Sequence, residues 1–250
     1  MKWGTLYDAE YVNVLFNAAR ANLTGPFQFV CLTDDATGLD KAIVAHPIPE
    51  FGLTPRQWRG GGWPKIAVFL ADLYGLSGRA LFIDLDMMIV GDLNPFFEHG
   101  EGIVAIDEGA WVGKPPSTMS SIFAFDIGGH TELVTKIQPD PDAMEDRYGY
   151  EQNYINHEAN HISYWPGPWL ASFKRHLRRP VLVDLILAPK RPDEEVKVVV
   201  FHGKPRPRDL VIAGQGNRDK LPHYVIAPVD WVRDYWLKYG GSDVSVPPVS

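Results

Sequence analysis

Apolar and polar residues alternate along this chain with a changing period, and each change marks an element. Behind Asp8, a side chain able to cap, Val12, Leu15, Phe16 and Ala19 recur at helical spacing, which predicts an amphipathic helix to about Ala21. Gly25-Pro26 breaks it. Short β-prone runs at residues 2–6, 27–33 and 42–45 read as three strands. Gly60-Gly61-Gly62 then leads into Trp63-Pro64-Lys65, a helix start with proline at the first position, and Ile66, Phe69, Leu70 and Leu73 form its buried stripe. Further strands are predicted over 79–90, 103–107, 122–126, 162–165 and 197–201, and helices over 128–137, 150–159 and, capped by Asp230, to about Lys238. Residues 114–120 read as a proline-containing loop and 139–147 as an acidic connector.

Strands alternate with helices over most of the length, which predicts an α/β fold with a mainly parallel, Rossmann-like sheet and helices on both faces. One domain covers 1–239, and the small, polar, proline-bearing tail 240–250 is expected to fray. In such sheets ligands bind beyond the carboxyl ends of the strands, and Asp34, Asp84, Asp86 and His202 all stand where a predicted strand has just ended.

Residues 79–90, RALFIDLDMMIV, carry the strongest chemistry. An apolar strand runs into two aspartates one residue apart, and in extended chain residues i and i+2 face the same side about 7 Å apart. Asp84 and Asp86 can therefore converge on one ion while Leu85 points into the packing. Carboxylate oxygens suit hard cations such as Mg or Mn, and two ionised aspartates side by side call for a positive partner. The plainer alternative is that both acids solvate the loop at the strand's end. Lys65, in the first turn of its predicted helix, is a possible phosphate or carbonyl contact.

Composition narrows the classes. With 250 residues, 45% apolar and eight of them tryptophan, the chain can bury a substantial core and fold alone. A formal charge of -7 argues against nucleic acid as a partner. The single thiol, Cys31, sits in the apolar run FQFVCLT and reads as a core residue outside any disulfide framework. No run approaches the length of a membrane span and Met1-Lys2-Trp3-Gly4 does not open a signal peptide, so a soluble, cytoplasmic protein is expected.

The segments WGTLY, EYVN, FVCLTDD, GGWPK, LFIDLDMMIVGDL, SSIFAFD, EQNYIN, SFKRHL and FHGKPRP, in this order, resemble a bacterial group of nucleotide-sugar glycosyltransferases related to glycosyltransferase family 8. The resemblance spans about residues 2–207 and implies the GT-A fold. It also implies a nucleoside-diphosphate sugar donor, a UDP-sugar above others, with Mn or Mg bridging the diphosphate. On that basis Asp84, Asp86 and His202 are the expected metal ligands, with Asp84 also touching the ribose. Thr5, Leu6, Tyr7, Asp34, Lys65, Leu85, Gly203, Lys204 and Arg206 are the remaining expected donor contacts, and Ser120 and Ser121, next to the donor-facing strand, are expected contacts to the sugar. Gln152 matches the position near the anomeric carbon in retaining members, with Glu151 in place of the usual aspartate, so retention is implied; an inverting role for Glu151 or Asp126 as general base stays open.

Trp165 and Trp169, held apart by Pro-Gly-Pro, are candidates for stacking on a sugar ring, with core filling as the alternative. Two departures from the family pattern stand out: Met119 occupies a position where an asparagine is common, and glycine follows His202 directly with no tryptophan after Pro207. Two other functions remain in view. The strand LFIDLD is similar to the nucleophile strand of haloacid-dehalogenase-like phosphatases, and the Met119 departure is compatible with a nucleotide-sugar sensor that does not turn over. The acceptor and the oligomeric state are not readable.

Overall fold

The computed structural model describes residues 1–184, 186–212 and 228–243. In chain order these form α1 (Ala9–Ala21), β1 (Val30–Leu32), β2 (Val44–His46), β3 (Arg79–Ile83), β4 (Met88–Ile89), α2 (Asn94–Glu98), β5 (Ile103–Asp107), β6 (Thr118–Asp126), α3 (Glu132–Ile137), α4 (Pro141–Tyr148), α5 (Glu151–Glu158), β7 (Ile162–Tyr164), β8 (Leu170–Ser172), β9 (Val198–Val200) and α6 (Asp230–Lys238). Three sheets result, with orders β1-β2, β3-β6-β5-β7 and β4-β9-β8.

Two apolar layers cover the main sheet, and the period of two along its strands sorts side chains between them. Val104, Ile106, Met119, Ile122 and Ala124 face the layer that holds α1 and α6, while Ile103, Ala105, Phe123 and Phe125 face the layer of α3, α5 and the 3-10 run Trp63–Phe69. Helices thus lie on both faces, as expected. In the second layer Phe123 stacks between Phe69 and Phe82, with ring centroids 5.6 and 4.9 Å away, and each such fully buried ring stabilises the fold by roughly 2–3 kcal/mol.

The sheet sense differs from expectation. β1 with β2, β5 with β7 and β8 with β9 are parallel, but β3 with β6, β5 with β6 and β4 with β9 are antiparallel. The sheet is mixed because β6 runs against both of its neighbours. A strand buried on both faces carries the same apolar run in either sense, so the pattern does not disclose direction.

Local differences have local causes. Only Lys2 of the predicted first strand pairs, with Thr33; Gly4, at φ +63°, turns the chain away. The helix predicted after Gly62 is a seven-residue 3-10 run ending where Leu70 turns extended. The acidic connector is instead the helix α4: Asp140 accepts from the Ala143 N–H at 3.0 Å, proline opens the first turn, and Gly149 at φ +73° closes it. β6 begins at Thr118, which shortens the predicted loop, α3 begins only at Glu132, and Asp230 lies in the first turn of α6 with Val229 as its cap. The start of the tail is held down, since Ser242 donates to Glu10 at 2.6 Å and Asp243 pairs with Arg233 at 2.6 Å; 244–250 lie outside the described residues. Cys31 is a buried free thiol, and no described helix is long and apolar enough to cross a membrane.

Candidate active site

The site is built around the end of β3. The Asp84 N–H still bonds the Ser121 carbonyl of β6 at 2.8 Å, and the chain then leaves the sheet so that Asp84 and Asp86 sit at its lip. Asp86 is buried, whereas the Asp84 side chain stays 25% exposed and so open to a ligand.

Lys65 reaches this lip from the 3-10 run. Its ammonium lies 2.9 Å from Asp84 and 3.1 Å from Glu151. The glycines before it allow that approach: Gly62 has φ +72° and a Cβ there would collide with the Glu151 carboxylate, while the Gly61 carbonyl accepts from the Glu151 N–H at 3.0 Å. Burial works against the charged Lys65, but Asp84 and then Glu151 outweigh it and hold the ammonium above the ordinary lysine range. Glu151 is itself buried and receives the Ser120 hydroxyl at 2.6 Å.

Opposite Lys65, the Tyr7 hydroxyl donates to Asp86 at 2.8 Å, and the Arg206 guanidinium lies 5.1 Å from the centre of the Tyr7 ring. Burial pushes the Asp84 carboxyl above its ordinary value against the pull of Lys65. Burial, and next the charge of Asp84, push Asp86 up to about 7 even with the Tyr7 hydroxyl opposing. Burial and Asp86 likewise raise Tyr7. Asp84 and Glu151 thus share the Lys65 ammonium while Asp86 meets the Tyr7 hydroxyl, and two carboxylate oxygen donors so placed fit a hard divalent cation.

The expected three-ligand set is not assembled in this conformation. Among the described residues no group of three or more His, Cys, Asp or Glu side chains is placed to hold a metal ion. The His202 Nε2 instead meets the Ser172 hydroxyl at 2.8 Å, at the ends of the neighbouring strands β9 and β8. Burial, then the charges of Lys174, Arg175 and Arg178, lower its pKa to about 4, so the imidazole is neutral near pH 7, the form that ligates metals.

Other expected residues distribute unevenly. Thr5, Leu6, Gly203 and Lys204 are exposed, and the exposed Asp34 accepts from the Gly4 N–H at 2.8 Å. The Leu85 side chain is buried, as its alternation with the acids requires. Ser120 is buried and committed to Glu151, so the expected sugar contact there is corrected to a structural one; Ser121, half-buried, offers its carbonyl to Asp84. Trp165 is likewise corrected: it is 4% exposed and packs edge-on against Phe96 at 4.8 Å, a core residue closed to a sugar. Trp169 is half-buried between Phe96 and Lys197, at 5.3 and 5.6 Å. Met119 is buried in the core. Gln152, next to Glu151, is half-buried. The sequence reading missed Ser172, which orients His202, and Lys174, whose ammonium comes within 3.7 Å of where a Gly203 Cβ would lie; the signal was a hydroxyl at a strand end followed by Lys174-Arg175-His176.

This architecture is the GT-A fold of glycosyltransferases. An active-site variant of LgtC superposes with a TM-score of 0.54 at 13% identity, covering 96% of this chain and 94% of LgtC. The galactosyltransferase LgtC in complex with donor and acceptor sugar analogues does so at 12% identity with the same score and coverage. The glycosyltransferase GlyE of Streptococcus pneumoniae TIGR4 matches at TM-score 0.54 and 12% identity over 94% of this chain and 59% of GlyE, and the bifunctional glycosyltransferase WbbM at 0.56 and 10% over 95% of this chain and 48% of WbbM. No family model matches the sequence, and no curated protein does.

Proposed function

We propose that the chain is a metal-dependent glycosyltransferase that moves a sugar from a nucleoside-diphosphate donor, a UDP-sugar, to an acceptor, with retention at the anomeric carbon. The observation that carries this reading is the acid pair at the lip of β3, Asp86 buried and Asp84 partly exposed, in a chain with the glycosyltransferase fold. Asp84 and Asp86 would hold Mn or Mg, with His202 completing the set by exchanging Ser172 for the ion. Bound there, the cation supplies stabilisation of the charge that grows on the diphosphate as the sugar leaves.

The remaining roles belong to the chain itself. Tyr7 fixes the orientation of Asp86 through its hydroxyl. Lys65 fixes Asp84 and keeps it charged. Arg206, with exposed Lys204, brings positive charge toward the diphosphate, and Thr5, Leu6 and Asp34 offer the exposed surface that receives base and ribose. Glu151, tied by Lys65 and Ser120, positions the first turn of α5, which leaves Gln152 as the side chain offered to the sugar. The phosphatase alternative finds no support in the fold.

Calorimetric titration of UDP in the presence of Mn tests the reading. Wild-type protein is expected to bind, and Asp86→Ala to lose about tenfold or more in affinity, a loss typical of a disturbed metal site. Undiminished affinity in Asp86→Ala would remove the acid pair from the donor site. Mn-dependent release of UDP from a UDP-sugar separates an enzyme from a sensor that binds without turnover.

A further inference from the structure

Between β8 and β9 the chain builds a second surface. It leaves the one-turn helix Phe173–Leu177 and returns at Lys190, whose N–H donates to the Leu177 carbonyl at 2.7 Å, so residues 178–189 form a loop with joined ends. The base of the loop is fixed to the body of the protein. Pro189 is buried, and its carbonyl accepts from the Trp231 indole of α6 at 3.3 Å. The tip is apolar and faces water. Leu182 is 76% and Ile186 80% exposed, the two largest values for a large apolar side chain among the described residues, and Leu187 on the same turn is 50% exposed. Apolar surface held outward in one place is favourably covered by another apolar phase or partner.

The polar groups of the loop are arranged for such a setting. The N–H groups of Val183 and Asp184 donate to the Pro180 carbonyl at 2.8 and 2.9 Å, and those of Ile186 and Leu187 donate to the Val183 carbonyl at 3.0 and 2.9 Å, so these donors need no water. Asp184, the one acid in the sequence of the loop, is turned inward. It is 2% exposed, accepts from the Arg179 N–H at 2.8 Å and lies 3.7 Å from the Arg178 guanidinium. The cations gather at the base instead. Arg175 and His176 are exposed just before the loop, Lys190 and Arg191 are exposed where it returns, and half-buried Arg179 donates from Nε to the Ala188 carbonyl at 3.2 Å. Glu108 pairs with Arg175 at 2.9 Å and Asp234 with Arg191 at 3.8 Å, and exposed Asp193, Glu194 and Glu195 end the basic stretch beyond Pro192. Residues 174–191 nevertheless hold six Lys and Arg against one acid, in a chain whose formal charge is -7.

We propose that this loop docks the protein on a membrane, its apolar tip entering the interface of a lipid bilayer and its basic collar meeting anionic headgroups. An apolar tip alone suits many partners, and the collar selects among them. Leucine and isoleucine gain by leaving water for the acyl boundary, while Lys and Arg at the base gain from a negatively charged surface. Two copies of this chain meeting tip to tip set two basic collars against each other, which disfavours that pairing. The loop is already closed by its own hydrogen bonds, so docking orders little that is not ordered beforehand. Its base also adjoins the candidate site. The charges of Lys174, Arg175 and Arg178 reach His202, so a docked loop holds that wall of the site toward the lipid surface. The inference goes beyond the transferase reading and does not depend on it.

The test is co-sedimentation of the whole chain with lipid vesicles, with no nucleotide or metal present, so its outcome is separate from that of the donor site. Vesicles of equal parts phosphatidylglycerol and phosphatidylcholine are expected to bind the wild-type protein about tenfold or more tightly than vesicles of phosphatidylcholine alone. Raising salt from about 0.1 to about 0.5 M should release it. The double substitution Leu182→Ser with Ile186→Ser should weaken partitioning by about tenfold or more, and Lys190→Glu by about fivefold or more. Because these side chains are exposed, both variants should keep Tm within about 2 °C of wild type. Absence of binding to the anionic vesicles overturns the proposal, as does binding that is equal on both vesicles or unchanged in the variants. So does a larger fall in Tm in the double variant, which assigns the tip to packing within its own chain. Self-association without lipid that the double variant abolishes likewise overturns it, and assigns the tip to a second copy.

Discussion

Replacing Lys65 by methionine isolates the electrostatic node of the site, because methionine keeps the stem that packs near Phe82, whose ring centre is 5.5 Å from the ammonium, and removes only the charge. The side chain is 10% exposed and has Asp84 at 2.9 Å and Glu151 at 3.1 Å, so the substitution strands two carboxylates at once. Breaking a buried pair from one side costs about 3–5 kcal/mol. The lower end is expected, since burial raises the Asp84 pKa and the acid can take up a proton once Lys65 no longer opposes that shift. A loss of about 3 kcal/mol corresponds to a fall in Tm of about 6–12 °C for a chain of this size. The pH dependence gives the sign. Asp84 has a folded-state pKa above its unfolded one, so the folded state binds its proton more tightly and gains relative stability as pH falls. Removing Lys65 raises that pKa further, so the gap between variant and wild type should be widest near pH 8 and narrow toward pH 5. Adding Glu151→Gln removes the second stranded charge and should recover part of the loss, with a coupling energy measurable by a double-mutant cycle. Thermal unfolding of the four proteins at pH 8 and pH 5 decides. A loss below about 1 kcal/mol, the range of an exposed pair, or one indifferent to pH, would refute the buried node.

Three other outcomes follow from the same geometry. Gly62→Ala sets a methyl group against the Glu151 carboxylate at a φ of +72°, so chemical denaturation should show a loss of about 2 kcal/mol or more; a neutral result would mean that the glycine run is only a hinge. Metal binding requires the deprotonated acid, and Asp86 is pushed up to about 7, so Mn-dependent UDP affinity should rise from pH 6 to pH 8 and level off above it; a flat titration over that span would mean Asp86 is not a ligand. Gln152→Ala should lower turnover while leaving donor affinity within about twofold, because the side chain is assigned to the sugar and not to the diphosphate; equal turnover would remove Gln152 from the mechanism.

The acid strand was legible because an apolar run ending in Asp84-Leu85-Asp86 leaves few other arrangements, and Lys65 because Pro64 fixes the start of its turn. What sequence could not supply was long-range. His202 was placed correctly at a strand end, but its ring direction is set by Ser172, thirty positions away. Trp165 and Trp169 look equivalent in sequence and both touch Phe96, yet the first is buried in the core and the second is half-exposed. The helix α4 was readable from Asp140, Pro141 and Gly149, and its acidic composition concealed it.

Glu151 shows how one side chain can tie separate segments together. Its backbone is anchored by the Gly61 carbonyl, and from there its carboxylate spans to Ser120 at 2.6 Å and Lys65 at 3.1 Å. An aspartate at this position is one methylene shorter and cannot keep both contacts without moving α5. The space taken by the longer side chain is the space that a Cβ on Gly62 would need. The glutamate, the glycine and the lysine therefore form one packing solution, and through Asp84 and Asp86 it reaches Tyr7 on the far side of the lip. Each acid is thereby positioned by a partner from a different segment, so the placement of the pair rests on this chain of contacts as much as on the strand that carries it.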